Sequence, residues 1–144
     1  MPAPRHYWLV KSEPGCWSWD DHVKKGVEPW TGVRNHQAAK YLKEMAIGDL
    51  AFFYHSVNEK KVVGVVEVVS EADIDPTDPS GRFVSVDFKA IAPVNTPVSL
   101  AQIRANPSLE SMPLLRQSRL SVCPVTQAQW GEILHMAGGL GDQV

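Results

Sequence analysis

Four clusters of polar and aromatic residues stand at the ends of apolar runs, where a scaffold would present them. Lys11-Ser12-Glu13-Pro14 closes the run Tyr7-Trp8-Leu9-Val10, and Trp30-Thr31-Gly32-Val33-Arg34-Asn35 sets an indole beside a glycine turn and a guanidinium. Phe52-Phe53-Tyr54-His55-Ser56 brings rings, an imidazole and a hydroxyl to one strand end, and Leu115-Arg116-Gln117-Ser118-Arg119-Leu120 brackets an amide and a hydroxyl between two arginines. Aromatic faces stack on nucleobases, amides and hydroxyls read a base edge, and cations hold flanking phosphates. These residue types are therefore the ingredients of a base-binding pocket. Each cluster alone also has a plainer meaning: a solvated turn, a core tryptophan, a hydrogen-bonded structural histidine, a charged surface loop.

Other chemistries lack their signatures. The chain has no G-x-x-x-x-G-K-[ST] phosphate loop, no H-E-x-x-H and no G-x-S-x-G, and Gly138-Gly139-Leu140-Gly141 follows a helical pattern instead of opening one. None of the five histidines is followed two places later by Glu, as a zinc deaminase requires. Cys16 and Cys123 are far apart and form no C-x-x-C pair, so neither a zinc site nor a disulfide framework is expected. We expect no metal and no cofactor.

The elements that must position these clusters follow from local patterns. Tyr7 to Lys11 reads as a strand ended by Ser12-Glu13-Pro14-Gly15, and Ser18 caps a short helix with acids in its first turn and Gly26 as its stop. Asn35 caps a second helix carrying Ala38, Tyr41, Leu42 and Met45, with Gly48 as its stop. Leu50 to His55 and Val62 to Val69 form a hairpin, and Phe83 to Ala92 alternates as a half-buried strand. If Phe53 faces the core, Phe52 and Tyr54 share the opposite face, so both faces need cover or one walls a pocket. Ser99 with Gln102 and Thr126 with Gln129 are capping boxes opening two later helices, the first stopped by Pro107 and the second carrying Trp130, Ile133, Leu134 and Ala137. Pro124 confines Leu120 to Val125 to an edge or a strand end. Short strands with helices between them, and no βαβ rhythm, predict one α+β domain on a small mixed or closed sheet.

With 144 residues and a net charge of −2, the chain is one domain's worth and cannot be a sticky polycation. The charge is uneven. From Glu71 to Asp87 five acids meet one base, Arg82, so that stretch carries −4 and the remainder +2. A nucleic-acid partner must then be recognised at a local site with few phosphate contacts. No long apolar stretch suggests a leader or a span, which predicts a cytoplasmic, intracellular protein, nuclear in a eukaryote, with no membrane partner.

The motifs Tyr7-Trp8-Leu9-Val10-Lys11-Ser12-Glu13-Pro14, Trp30 to Ala38, Met45-Ala46-Ile47-Gly48-Asp49, Phe52 to Ser56 and Leu115 to Val122, in this order, resemble the EVE domain family. The resemblance covers nearly the whole chain and implies one domain over 1–144 with a core of about 6–138. It implies a PUA-like fold: a small mixed β-barrel with helices inserted in the connections. It also implies a reader of a modified base, a methylated or otherwise altered cytosine or adenine in DNA or RNA. The implied pocket residues are Lys11, Ser12, Glu13, Trp30, Val33, Arg34, Asn35, Tyr54, His55, Ser56, Gln117, Ser118 and Arg119. One position departs from the family pattern: Ala39-Lys40 stands where an arginine would follow Asn-x-Gln-Ala. The alternative is an amidohydrolase-like enzyme acting on a modified nucleoside, with Lys11 and Glu13 as its catalytic groups. The sequence leaves the oligomeric state open.

Overall fold

Every one of the expected helix caps has its side-chain hydrogen bond. In the computed structural model, which describes residues 6–144, α1 (Trp19–Lys25) begins with the Ser18 hydroxyl accepting from the Asp21 N–H and ends at Gly26. Helix α2 (His36–Glu44) is capped by Asn35, whose side chain accepts from the Ala38 N–H, and it buries Ala38, Ala39 and Leu42. Capping boxes open α3 (Leu100–Ala105) from Ser99 and α5 (Gln127–Met136) from Thr126, and a single turn, α4 (Pro113–Arg116), lies between them. Each box satisfies N–H groups that the first helical turn leaves without partners.

The strands are β1 (Tyr7–Ser12), β2 (Val27–Pro29), β3 (Leu50–His55), β4 (Lys61–Val68), β5 (Asp73–Ile74), β6 (Val84–Ser85), β7 (Asp87–Ser99) and β8 (Val122–Val125). Six of them form one mixed sheet in the order β2-β7-β4-β3-β1-β8, with β1 and β3 parallel and the other pairs antiparallel. Register shifts in the β3–β4 and β4–β7 pairs mark bulges, which increase local twist and curl the sheet into a half-barrel. The two edge strands each hold a proline, Pro29 in β2 and Pro124 in β8, where a missing N–H interrupts no interior ladder.

Strand β7 runs past Ala92 to Ser99, beyond the predicted end. Pro93 and Pro97 are tolerated because β2 pairs with only its first three residues. Beyond them the outer neighbour is the chain's irregular last segment: the Gly141 N–H donates to the Pro93 carbonyl and the Val144 N–H to that of Ile91. The packed chain therefore continues beyond residue 138, while residues 1–5 of the expected domain lie outside the described part.

Both faces of the sheet are covered. On one, Phe52 stacks on Trp130 of α5 with centroids 3.9 Å apart; on the other, Phe53 meets Trp19, His22 and Trp30 edge to face. Helix α1 sits on this second face because Gly64 has no side chain. A Cβ at Gly64 would lie 2.6 Å from the Trp19 ring. The Trp19 N–H also donates to His55 Nε2 at 3.0 Å, fixing the helix start against β3.

Candidate functional site

The end of β1, the turn that follows it and the segment between β2 and α2 enclose a depression of about 380 Å³. Six of the expected residues line it: Lys11, Ser12, Glu13, Trp30, Val33 and Arg34. Trp17, Glu28, Pro29, Thr31, Gly32 and Ser121 complete the wall. A volume of this order is within the range of small-ligand sites. Four other expected residues, Asn35, Gln117, Ser118 and Arg119, line a second depression of about 310 Å³ with Gln37, Arg116 and Leu120. Lys11 joins the two, its ammonium donating to the Ser118 carbonyl at 3.0 Å.

Local structure explains how each group is held. Trp30 is 8% exposed, with its ring edge-on to Phe53 and Phe88, so it belongs to the core and to the site at once. The Trp30 N–H donates to the Val86 carbonyl at 2.8 Å, which continues the β2–β7 edge into the site. Gly32 has φ +82°, a left-handed conformation that glycine adopts without Cβ strain, and this turns its N–H toward Asp75 Oδ2 at 2.8 Å. Arg34 donates to the same oxygen at 3.1 Å and to the Thr77 hydroxyl at 3.0 Å, and its guanidinium lies 5.3 Å from the Phe83 ring centre. Ser12 donates its hydroxyl proton to the Trp17 carbonyl, so the serine braces the turn as well as lining the wall.

The ionisable groups are shaped by the same packing. Burial pushes the Lys11 ammonium below its ordinary value, partly offset by the nearby Cys123, whose thiol burial raises to about 11. Burial alone would raise Asp75, but hydrogen bonds from Thr77, Gly32 and Arg34 outweigh it and bring the carboxyl down to about 2. Of the five acids between Glu71 and Asp87, Glu71 and Asp73 stay exposed, Asp87 is half-buried and two are drawn inside. Asp75 and Asp78 are buried, and Asp78 accepts from Ser80, Arg82 and Phe83, holding its own loop closed.

Tyr54, His55 and Ser56 line neither depression. Tyr54 is 3% exposed, with burial raising its phenol to about 12, and the Lys11 ammonium lies 6.0 Å from its ring centre. His55 accepts the Trp19 N–H through Nε2, so its Nδ1 carries the proton and donates to Glu59 at 3.0 Å. Its work is to fix the start of α1. Ala39, at the departure from the family pattern, is buried in α2, while Lys40 is exposed. Sequence reasoning missed Trp17 and Glu28; their only signal was adjacency, one to the turn after β1 and the other to Trp30.

A curled mixed sheet with helices in its connections, and an aromatic and polar depression at the end of its parallel pair, define a PUA-like module. The chain belongs to the EVE domain family, whose model matches residues 6–136. It is 31% identical to thymocyte nuclear protein 1 of Rattus norvegicus, over 91% of this chain and 73% of that relative. A Rhodopseudomonas palustris protein solved by NMR is 53% identical with a TM-score of 0.88, covering 92% of this chain and 93% of its own. Human THYN1 protein, solved in complex with 5-methylcytosine-containing DNA, is 30% identical with a TM-score of 0.84, covering 92% of this chain and 97% of its own.

No helix among the described residues is long and apolar enough to cross a membrane. No group of three or more His, Cys, Asp or Glu among them is placed to hold a metal ion.

Proposed function

We propose that this chain reads a modified base in DNA, with 5-methylcytosine as its ligand, by taking the extruded base into the first depression. The observation that carries this reading is the convergence of Trp30, Val33, Lys11, Glu13 and Arg34 on one depression, in the fold of a relative solved with methylcytosine DNA. Trp30 supplies a face for stacking, Val33 an apolar contact for the methyl group, and Glu13 a carboxylate that accepts from a cytosine amino group. Arg116 and Arg119, exposed in the second depression beside Gln117 and Ser118, take the flanking phosphates.

Unpairing a base costs a few kcal/mol, and stacking returns about 1–3 kcal/mol, so an unmodified duplex binds weakly. A buried methyl group adds about 0.8 kcal/mol, roughly fourfold in affinity. The role is recognition without turnover. Lys11, one of the two catalytic groups of the enzymatic alternative, donates a hydrogen bond to the Ser118 carbonyl, and incubation with N-acylated or N-alkylated cytidines should leave them unchanged.

The test is a tryptophan-fluorescence titration with duplexes that differ only in one cytosine methyl group. Tighter binding of the methylated duplex by at least fourfold, weakened in Trp30→Phe, supports the reading. Equal weak binding of both duplexes overturns it.

A further inference from the structure

Behind the first depression lies a fully buried imidazole, His22 of α1. It is bonded on both sides. The Trp17 indole Nε1–H, which can only donate, points at His22 Nδ1 at 3.0 Å. Nδ1 is therefore the acceptor and the ring proton is on Nε2, 2.9 Å from the Phe88 carbonyl it donates to. The imidazole also lies 6.1 Å from the Trp30 ring and 5.5 Å from that of Phe53. One neutral tautomer thus ties one tryptophan wall of the depression to β7 and packs behind the other.

We infer that His22 is a positioning residue for base capture: neutral, it holds Trp17 in place as a wall of the site, and protonated, it releases it. This rests on the reading of the first depression as the base site. A proton added at Nδ1 would set two donors against each other and break the bond to Trp17. Burial holds the imidazole below its ordinary value, against the Phe88 carbonyl and the charge of Glu28, which act the other way. Among the groups around the ring, Glu28 of β2 is the charged one whose field reaches it. The neighbours from β3, β7 and the segment after β2 are Phe53, the Phe88 carbonyl and Trp30; Asp20, Asp21, Lys24 and Lys25 of α1 are exposed. The wall is therefore set at neutral pH and lost only on acidification below the usual histidine range.

Two amide variants separate the bonds. His22→Asn places an acceptor near the Nδ1 position and keeps the Trp17 contact. His22→Gln places a donor near the Nε2 position, keeps the Phe88 contact and loses Trp17. The experiment combines binding of the methylcytosine duplex across pH with the indole N–H resonance of Trp17 in the free protein.

The expected result has three parts. The Trp17 resonance shifts with the same midpoint at which wild-type affinity falls. His22→Gln and Trp17→Phe each weaken binding by about tenfold, the loss of one hydrogen bond, and their losses do not add. Trp17→Phe binds with a flatter acid limb, because protonated His22 no longer meets a donor. A Trp17→Phe variant with wild-type affinity and pH profile overturns the inference. So does a wild-type Trp17 resonance that stays still while His22 titrates, a result that requires no variant to fold. Absence of duplex binding at every pH overturns the base-site reading instead, and the indole resonance still decides the coupling between His22 and Trp17.

Discussion

Arg34 and Asp75 meet at 3.1 Å across 41 positions of sequence, one at the rim of the site and the other fully buried in the acidic loop. The same carboxylate oxygen accepts the Gly32 N–H, and the other oxygen accepts both the N–H and the hydroxyl of Thr77. One side chain thus sets the backbone and the cation of the segment that carries Trp30 and Val33. The segment between β2 and α2 is held from outside, by a loop that does not itself line the depression.

Asp75→Ala should therefore act at a distance. It leaves the Gly32 N–H and the Arg34 guanidinium without their acceptor, at a cost of about 1–3 kcal/mol in a urea titration. Duplex affinity should fall with it, although no residue of the depression has changed. Unchanged affinity would detach the acidic loop from the site.

The acid limb of stability has a definite sign. Asp75 is lowered to about 2 from its ordinary value of 3.8, so between those values the unfolded chain binds the extra proton. Its contribution is fully present above pH 3.8 and is lost as pH falls toward 2. Asp78, held low by the Ser80 hydroxyl and the Phe83 N–H, adds in the same direction. Urea midpoints measured through this window should fall more steeply for wild type than for Asp75→Asn.

Gly64 offers a packing test away from any ligand. Adding one methyl group there places it 2.6 Å from the ring of Trp19, a residue whose backbone N–H is fixed to His55. Gly64→Ala should cost about 1–3 kcal/mol as an overpacked core position. A thermal melt checks this, and an unchanged melting temperature would show that Trp19 can move off the sheet.

Much of this architecture was legible because its signals are local. Ser18, Asn35, Ser99 and Thr126 each cap the helix expected of them, and Pro124 lies on an edge strand. What was not legible depends on distant partners. The alternating strand was expected to end at Ala92, yet β7 continues through Pro93 and Pro97 to Ser99 because of which neighbours flank it. His55 belongs to the motif at the end of β3, but only the packed Trp19 N–H shows where its ring nitrogen is spent. Asp75 and Asp78 count toward the −4 of the stretch Glu71 to Asp87, and only folding shows that both are buried. Three of the four clusters also divide between two depressions joined by Lys11, a division that spacing along the chain cannot show.

Salt should have a shallow effect on duplex binding. With Arg116 and Arg119 as the phosphate contacts, the slope of log K against log salt should be about −2, and Arg119→Ala should reduce it by about 1. A slope of about −6 or steeper would mean tracking along the backbone.

The most direct measurement is a crystal structure of the chain with a duplex carrying a single 5-methylcytosine. The expected result is the methylated base out of the stack and inside the first depression, against Trp30 and Val33, with its amino group on Glu13 and flanking phosphates near Arg116 and Arg119. A methylated base still stacked in the duplex, with the depression empty and contacts confined to the backbone, would contradict recognition by base capture.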